Sequence, residues 1–568
     1  VLLLCAALLP VEAVRAGPAG AAIPGERPLL LEVHINGLST GKLATFNERA
    51  GMLYALRTDL EELGVIVDPQ APQAPDGTIP LSALAANGAK AGFRLDERAQ
   101  AVHFNLGRGA LKPTYLSANP LPLRAATALD TGRGAVLNYD AVITSTAGAG
   151  HAASALLDAR VFAPQGAFNS SAITQTGQGA GMPAFVRLDT TFTRGDPDTL
   201  RRASLGDFIT QGLSWSRPVR LFGLQYGTDF SLRPDLITMP MPKLGGDTAV
   251  PSTVDVLVNG VRQISQSVNP GPFEVRQIPV PTGVGEVAVT VQDALGRMSV
   301  QRLQFYGSTR LLAAGQSSWS VEAGAVRHGY GLRSWDYRGF ASSGTLRYGY
   351  SDALTFEAHS ELAARGSNIG GGIFYSLGAW GMVSAAASSN LDGRGLQGTL
   401  GYERVSRILS VAASLTQSQA DRRDIASANG DAVARYIGRA SASLSLGTHG
   451  TISGAVARTR ADSATRTDAQ LGMPAQGSDT TLHTLSYTRG LTERMQLFIS
   501  AYAAQRVDGN SMGFFAGISV TLDANRSGGA NVNNNGGRST FSVQAMQGTQ
   551  AAGELGWQLL ASEGQYRR

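Results

Sequence analysis

The feature that most constrains this chain is a long series of segments whose residues alternate apolar and polar. "LTFEAHSEL", residues 354–362, is the clearest. Leu354, Phe356, Ala358 and Leu362 fall on one side of an extended backbone, Ser360 being the lapse, and Thr355, Glu357, His359 and Glu361 fall on the other. Segments of this kind occupy 135–148, 151–165, 167–177, 184–195, 200–211 and 219–230. They resume at 318–328, 340–350, 354–363, 367–377, 380–390, 395–405, 408–419, 434–446, 451–461, 479–489, 495–507, 511–523, 539–550 and 553–564. In lipid every backbone N–H and C=O must be paired within the protein, so strands cross a membrane only as a closed sheet. A spanning strand needs about 9–11 residues. The series therefore predicts a mainly β protein built on a large transmembrane antiparallel barrel of about twenty visible strands.

The connections support this. "YSDA" (350–353), "LGA" (377–379), "VSR" (405–407), "GTHG" (447–450) and "GLTER" (490–494) are short, whereas 328–339, 418–433 and 461–478 are long. Short turns on one rim and long loops on the other mark an outer-membrane barrel. "ANRSGGANVNNNGGR" (524–538) breaks the rule, falling as a long loop on the short-turn side. Either a strand nearby is mis-split or the turn is unusual. Composition agrees with closely packed strands: 16% of residues are charged and 69 of 568 are Gly, against roughly 25% and 7% in ordinary domains.

The start, "VLLLCAALLPVEAVRAGPAG", resembles the apolar core of a secretory signal, here 1–16, followed by a tail at 17–27. Cys5 is the sole cysteine, so the mature chain is expected to hold no disulfide. Residues 28–118 read as a small periplasmic α+β domain. "LLLEVHING" forms a strand ending at an Asn36-Gly37 turn, 47–65 carries helical spacing at Leu53, Leu56, Leu60 and Leu63, and 91–106 is a hairpin. The first barrel segment runs 134–244 and the second 308–568. Between them, 245–307 has short strands, an Asn259-Gly260 hairpin, breaks at Pro270-Gly271-Pro272 and Pro281-Thr282-Gly283, and a turn at Ala294-Leu295-Gly296. That is a β-sandwich inserted into the barrel, placed to block its lumen.

Enzyme and ligand motifs are weak. "GRGLQG" (393–398) matches a dinucleotide pattern, but "TLGYERV" follows it as a strand where the motif requires a helix. No G-x-S-x-G or H-E-x-x-H occurs, and the seven histidines stand apart. Glu357, His359 and Glu361 are spread along their strand, so a metal would need ligands from neighbouring strands; they are read as facing a water-filled interior. A formal net charge of +5 with scattered Lys and Arg gives no case for nucleic acid. No cofactor, nucleotide or metal is expected.

One run of motifs carries a family resemblance. "LRRASLGDFITQGLSWSRPVRLFGLQYGTDFSLRPDL" is followed in order by "VDVLVNG", "PGPFEV", "VTVQDALGR" and "FYGSTRLLAAGQSSWSVEAGAVR". This resembles the outer-membrane ushers of chaperone–usher pili, nearest to the spore-coat-U or Csu-like branch. The resemblance implies a periplasmic N-terminal domain, a 24-stranded pore, a plug between strands six and seven, and C-terminal periplasmic domains. Against that pattern the chain stops at Arg568 in mid-barrel, lacks the disulfide many ushers carry in the N-terminal domain, and does not align at Ala16–Leu31 with the family's chaperone-gripping residues. The implied partners are a periplasmic pilus chaperone, pilin subunits and outer-membrane lipid. The implied activity is non-enzymatic: capture of chaperone–pilin pairs, donor-strand exchange and secretion of the fibre through a plug-gated pore. Arg27, Leu29, Leu31 and Val33 are expected at the chaperone–subunit contact. Asp255, Asn259, Arg262, Glu274, Arg276, Asp293 and Arg297 are plug polar residues expected to meet the lumen wall. Arg187 and Asp207, with Glu357, His359 and Glu361, are expected lumen residues. A porin-like channel or a plugged transporter is the alternative.

Overall fold

The computed structural model describes residues 26–85, 91–106, 110–112, 114–118, 132–146, 150–176, 183–248, 252–268, 271–293, 297–364, 366–462, 467–468, 473–474, 478–507, 509–549 and 553–564. The signal-like start, most of the 17–27 tail, the Pro270 break, the Ala294-Leu295-Gly296 turn and much of the 461–478 loop lie outside them. No helix among the described residues is long and apolar enough to cross a membrane.

Two compact units emerge. One comprises the N-terminal residues to Pro120 with Pro242–Pro279 and Val287–Leu303; the other comprises Leu121–Met241, Val280–Glu286 and Gln304–Arg568.

Among the described residues of the second unit, twenty-one strands form a closed barrel, with six strands before the insert and fifteen after it. The strand beyond the expected count is Arg526–Asn535, paired antiparallel with Gly509–Thr521 and Arg538–Gln547. The segment expected to be an odd long loop is therefore a strand closed by Gly536-Gly537, both at positive φ (59° and 81°). Its sequence, RSGGANVNNN, has almost no apolar amplitude, which hid the alternation. The adjoining turn, 522–525, is then short like the others on its rim.

Strand sidedness follows the alternation. Leu346, Tyr348, Phe356, Leu362, Ile369, Ile373 and Leu400 are all exposed large apolar side chains, while Ser343, Thr345, Thr355, Glu357, His359 and Glu361 are buried. An apolar exterior of this extent around a closed sheet suits lipid, not water. "GRGLQG" ends in the strand Gln397–Arg404, with Gly393 and Gly395 at positive φ in the turn before it; the helix a dinucleotide site needs is not there.

In the first unit a six-stranded sheet runs in the order Thr78–Pro80, Met52–Leu56, Leu38–Arg49, Glu26–Ile35, Ala101–Leu106, Ala91–Asp96. Its core holds Leu31, Val33, Phe46, Leu53, Leu60, Val65, Ile79 and Phe104. The long helix expected over 47–65 is a correction. Ala50 and Gly51 take positive φ (47° and 75°) and reverse the chain into the strand Met52–Leu56, leaving only Arg57–Glu62 helical. Leu53 points into the core by strand alternation, so its spacing to Leu60 imitated a helix face.

The insert holds two sheets. One is four-stranded, ordered Val261–Val268, Ser252–Val258, Gly283–Asp293, Met298–Gly307. Val254, Val256, Val258, Val287 and Val289 form its buried side, and Asn259-Gly260 turns the first hairpin at φ 51° and 83°. The other sheet is ordered Leu244–Thr248, Gly271–Arg276, Thr114–Ser117. Its third strand comes from the end of the 28–118 segment, so the insert is not built from 245–307 alone.

Candidate functional site

The polar row on the strand Leu354–Ala363 is fully engaged by its own protein. Thr355, Glu357, His359 and Glu361 are at most 7% exposed. Glu357 accepts from Arg347 Nε at 2.9 Å and from the Trp215 indole N–H at 3.0 Å. His359 Nδ1 lies 2.9 Å from Thr345 Oγ1 and Nε2 lies 3.1 Å from Glu361 Oε1. The second Glu361 oxygen accepts from Asn368 Nδ2 at 3.0 Å and from the Ile425 backbone N–H at 2.8 Å. The Leu312 N–H donates to Thr355 Oγ1 at 2.9 Å. The expectation of an open, water-filled surroundings for Glu357, His359 and Glu361 is thus corrected: packed side chains and backbone cover them.

Two inward-folded connections do the covering. The first, 210–219, follows the fifth barrel strand. The Gln211 N–H donates to Glu322 Oε1 at 2.8 Å, Gln397 Nε2 donates to the Trp215 carbonyl at 2.7 Å, and Leu213 and Trp215 are buried. Gly370 and Gly372 make the slot for the indole. A Cβ on Gly370 would stand 2.8 Å from Trp215 Cζ3, and one on Gly372 3.0 Å from Trp215 Nε1. The second, 419–433, carries the short helix Ile425–Ala428, begun by Asp424, whose carboxylate accepts from the Ser427 N–H in a reciprocal cap. Arg422 donates to Ser388 Oγ at 2.7 Å and Asn390 Nδ2 donates to the Asp421 carbonyl at 2.8 Å. The connections also meet each other: Arg217 Nε donates to Asp424 Oδ2 at 2.8 Å, and its NH1 to the Ala432 carbonyl at 2.7 Å.

A second buried cluster unites Arg187 and Asp207, which the sequence placed only on separate early strands. Asp207 Oδ1 accepts from Arg327 at 3.0 Å and from the Tyr337 hydroxyl at 2.6 Å, and Oδ2 accepts from Arg187 and from the Thr190 N–H at 2.9 Å. Arg187 lies 4.0 Å from the Trp335 ring centroid. Sequence reading missed Arg327 and Tyr337 here, and Trp215, Arg217, Asn368 and Asp424 in the row. A tryptophan in a connection, "LSWSRP", was the one available signal.

In the insert, Arg262 lies 4.0 Å from Asp255, and Arg276 donates to Glu274 at 2.9 Å and covers the Tyr115 ring at 3.7 Å. That donor holds the Glu274 carboxyl below its ordinary value. Asn259 sits in the hairpin turn, Arg297 is exposed, and Asp293 ends the strand Gly283–Asp293. In the N-terminal sheet, Arg27 is exposed and 3.8 Å from Glu48, and Leu29 is half-buried. Leu31 and Val33 are 3% and 0% exposed within the core, on a strand paired on both edges, so in this fold they are withdrawn from any surface contact. Among the described residues no group of three His, Cys, Asp or Glu side chains could hold a metal.

The site is thus a lattice of charge-assisted hydrogen bonds that fixes connections against a barrel wall, with each carboxylate oxygen of Glu357 and Glu361 already committed.

Residues 174–396 match the family described as "Outer membrane usher protein". The outer membrane usher protein FocD of Escherichia coli is 28% identical over 222 residues, 39% of this chain and 25% of FocD. FimD of Escherichia coli K12 is 28% identical over 183 residues, 32% of this chain and 20% of FimD. The matched stretch thus spans about a quarter or less of these relatives. Among solved structures, the Escherichia coli P pilus tip assembly intermediate PapC-PapD-PapK-PapG matches with a TM-score of 0.56 at 15% identity, covering 97% of this chain and 72% of that one. That likeness is one of fold. Strand closure, the apolar exterior and the matched stretch agree: residues 174–396 are similar to the outer membrane usher family, and the chain forms a closed β-barrel whose fold resembles that of the P pilus assembly intermediate.

Proposed function

We propose that this chain receives periplasmic chaperone–pilin complexes, supports donor-strand exchange between successive subunits, and passes the growing fibre through its barrel. The observation that carries this reading is the continuity of the matched stretch. Residues 174–396 run unbroken from early barrel strands through the whole insert into the second barrel segment. A passive channel needs no such insert.

The chemistry asked of the protein is positional. Donor-strand exchange swaps one β-augmenting strand for another, and holding both subunits together raises its rate without any reactive side chain. No nucleotide, cofactor or catalytic residue has a role in this account. Arg27 and Leu29 remain the proposed chaperone–subunit contacts on the first strand. Residues 245–307 are the proposed plug, with Asp255, Asn259, Arg262, Glu274, Arg276, Asp293 and Arg297 as its polar surface.

The test is co-expression of the full chain with a periplasmic pilus chaperone and its pilin subunit. A tagged chain extracted from outer membranes is expected to carry the chaperone–pilin pair, and cells to display fibres. A porin-like channel would give ion conductance with neither bound pair nor fibre.

A further inference from the structure

The strand Thr114–Ser117 is separated from the insert by more than a hundred residues of chain, yet it completes the insert's second sheet. It pairs in parallel with Gly271–Arg276, in the register Thr114 with Phe273, Tyr115 with Glu274, Leu116 with Val275 and Ser117 with Arg276. The other edge of Gly271–Arg276 pairs antiparallel with Leu244–Thr248. Mixed pairing of this kind puts a strand from outside the insert where the insert's own chain supplies none.

Side chains reinforce the pairing. Leu116 and Ala118 are buried at 7% and 0% exposure. The Ala118 N–H donates to the Arg276 carbonyl at 3.0 Å, and Ser117 Oγ donates to Gln277 Oε1 at 3.0 Å. The Arg276 guanidinium, steered by Glu274, lies over the Tyr115 ring at 3.7 Å. On the other side, Leu111 belongs to the N-terminal core and bridges to Val65 in a short antiparallel contact. Leu111 also lies where a Cβ on Gly271 would meet it at 3.4 Å. Leu111 therefore belongs to one hydrophobic core, and Thr114–Ser117, three residues further along the chain, belongs to the other's sheet.

We propose that Thr114–Ser117 is a releasable tie: while it is paired, the N-terminal module and the insert move as one body, and its detachment is the step that frees the insert. Four residues in a parallel edge pairing are few enough to be broken and re-made, unlike the eleven-residue central strand Gly283–Asp293. The inference goes beyond fibre assembly and holds whether or not the chain captures chaperone–pilin complexes.

The experiment uses the full chain in outer-membrane extracts with Cys5→Ser, so that introduced cysteines are the only ones. Spin labels at Thr58→Cys, on the N-terminal module, and Arg262→Cys, on the insert, report their separation by double electron–electron resonance. The parent is expected to give one narrow distance distribution and Tyr115→Pro a distribution at least twofold broader, with the barrel's heat-modifiable gel mobility unchanged. As a second arm that needs no disruptive variant, Tyr115→Cys with Glu274→Cys is expected to cross-link under mild oxidation, and Tyr115→Cys with Gln266→Cys is not. A broad distribution in the parent, an equally narrow one in Tyr115→Pro, or no cross-link between positions 115 and 274 overturns the proposal.

Discussion

Arg217 and Asp424 stand 207 residues apart in sequence and meet at 2.8 Å, joining the two connections that fold against the barrel wall. The Asp424 side chain is 1% exposed and that of Arg217 33%. Removing Arg217 leaves a buried carboxylate whose one remaining ion-pair partner among the described residues is Arg422, 3.9 Å away.

Arg217→Ala is therefore expected to loosen 419–433 by about 3 kcal/mol, within the range for breaking a buried pair. Hydrogen exchange in 419–433 is the measurement, with protection falling on the order of a hundredfold. The double change Arg217→Met with Asp424→Leu is expected to restore much of it, because the cost lies in the stranded charge.

Glu361 bonds Asn368 and the Ile425 N–H at once. Glu361→Ala leaves both donors buried, at about 1–3 kcal/mol for each unpaired group. The expected result is a lower unfolding temperature of the barrel in detergent and exposure of the Ile425–Ala428 helix to protease. Chelator is expected to change neither, since the carboxylate's partners are protein donors.

A methyl group on Gly372 would stand 3.0 Å from both Trp215 Nε1 and the Ala386 Cβ, so the indole must give way to admit it. Gly372→Ala is expected to displace Trp215, break its bond to Glu357 and cost about 1–3 kcal/mol as overpacking. Tryptophan emission should shift to longer wavelength, and the shift should vanish in a Trp215→Phe background.

In the N-terminal sheet, Arg49 hydrogen-bonds both Asp76 and Glu26, the latter at 2.7 Å. The Arg49 guanidinium holds the Asp76 carboxyl down to about 2, from an ordinary 3.8. A depressed folded-state value adds stability above pH 3.8 that is lost as pH falls toward 2. The Asp76 side chain is 23% exposed, so after discounting for solvent the contribution is on the order of 1 kcal/mol. Acid titration followed by hydrogen exchange in 44–56 should show this loss between about pH 4 and pH 2, and Asp76→Asn should lack it.

The barrel was legible wherever one strand face is bulky and apolar, as in 354–363 with Phe356 and Leu362. It was illegible at Arg526–Asn535, where Gly528, Ala530 and Asn534 occupy the face that Phe356 occupies elsewhere. Neither face there differs enough in hydropathy to show a period. The same weakness produced the misread helix, since leucine spacing alone does not register the Ala50-Gly51 reversal. Arg187 and Asp207 were visible as charged residues on strands, but their junction with Arg327 and Tyr337 depends on register across non-neighbouring segments. The pairings of Arg217 with Asp424 and of Thr114–Ser117 with Gly271–Arg276 depend on tertiary approach, for which local sequence holds no signal. The strand character of Arg526–Asn535 is open to direct test: Asn531→Cys and Asn533→Cys should react with a water-soluble maleimide, and Ala530→Cys and Val532→Cys should not.

The central claim is that one lipid-embedded cylinder carries its polar row inward. Single fluorescent labels at each position from Thr355 to Leu362, in bilayers containing spin-labelled lipid, test it most directly. Quenching is predicted to alternate, strong at Phe356, Ala358 and Leu362 and weak at Thr355, Glu357, His359 and Glu361. Uniform quenching along the strand, or none at any position, would contradict the account.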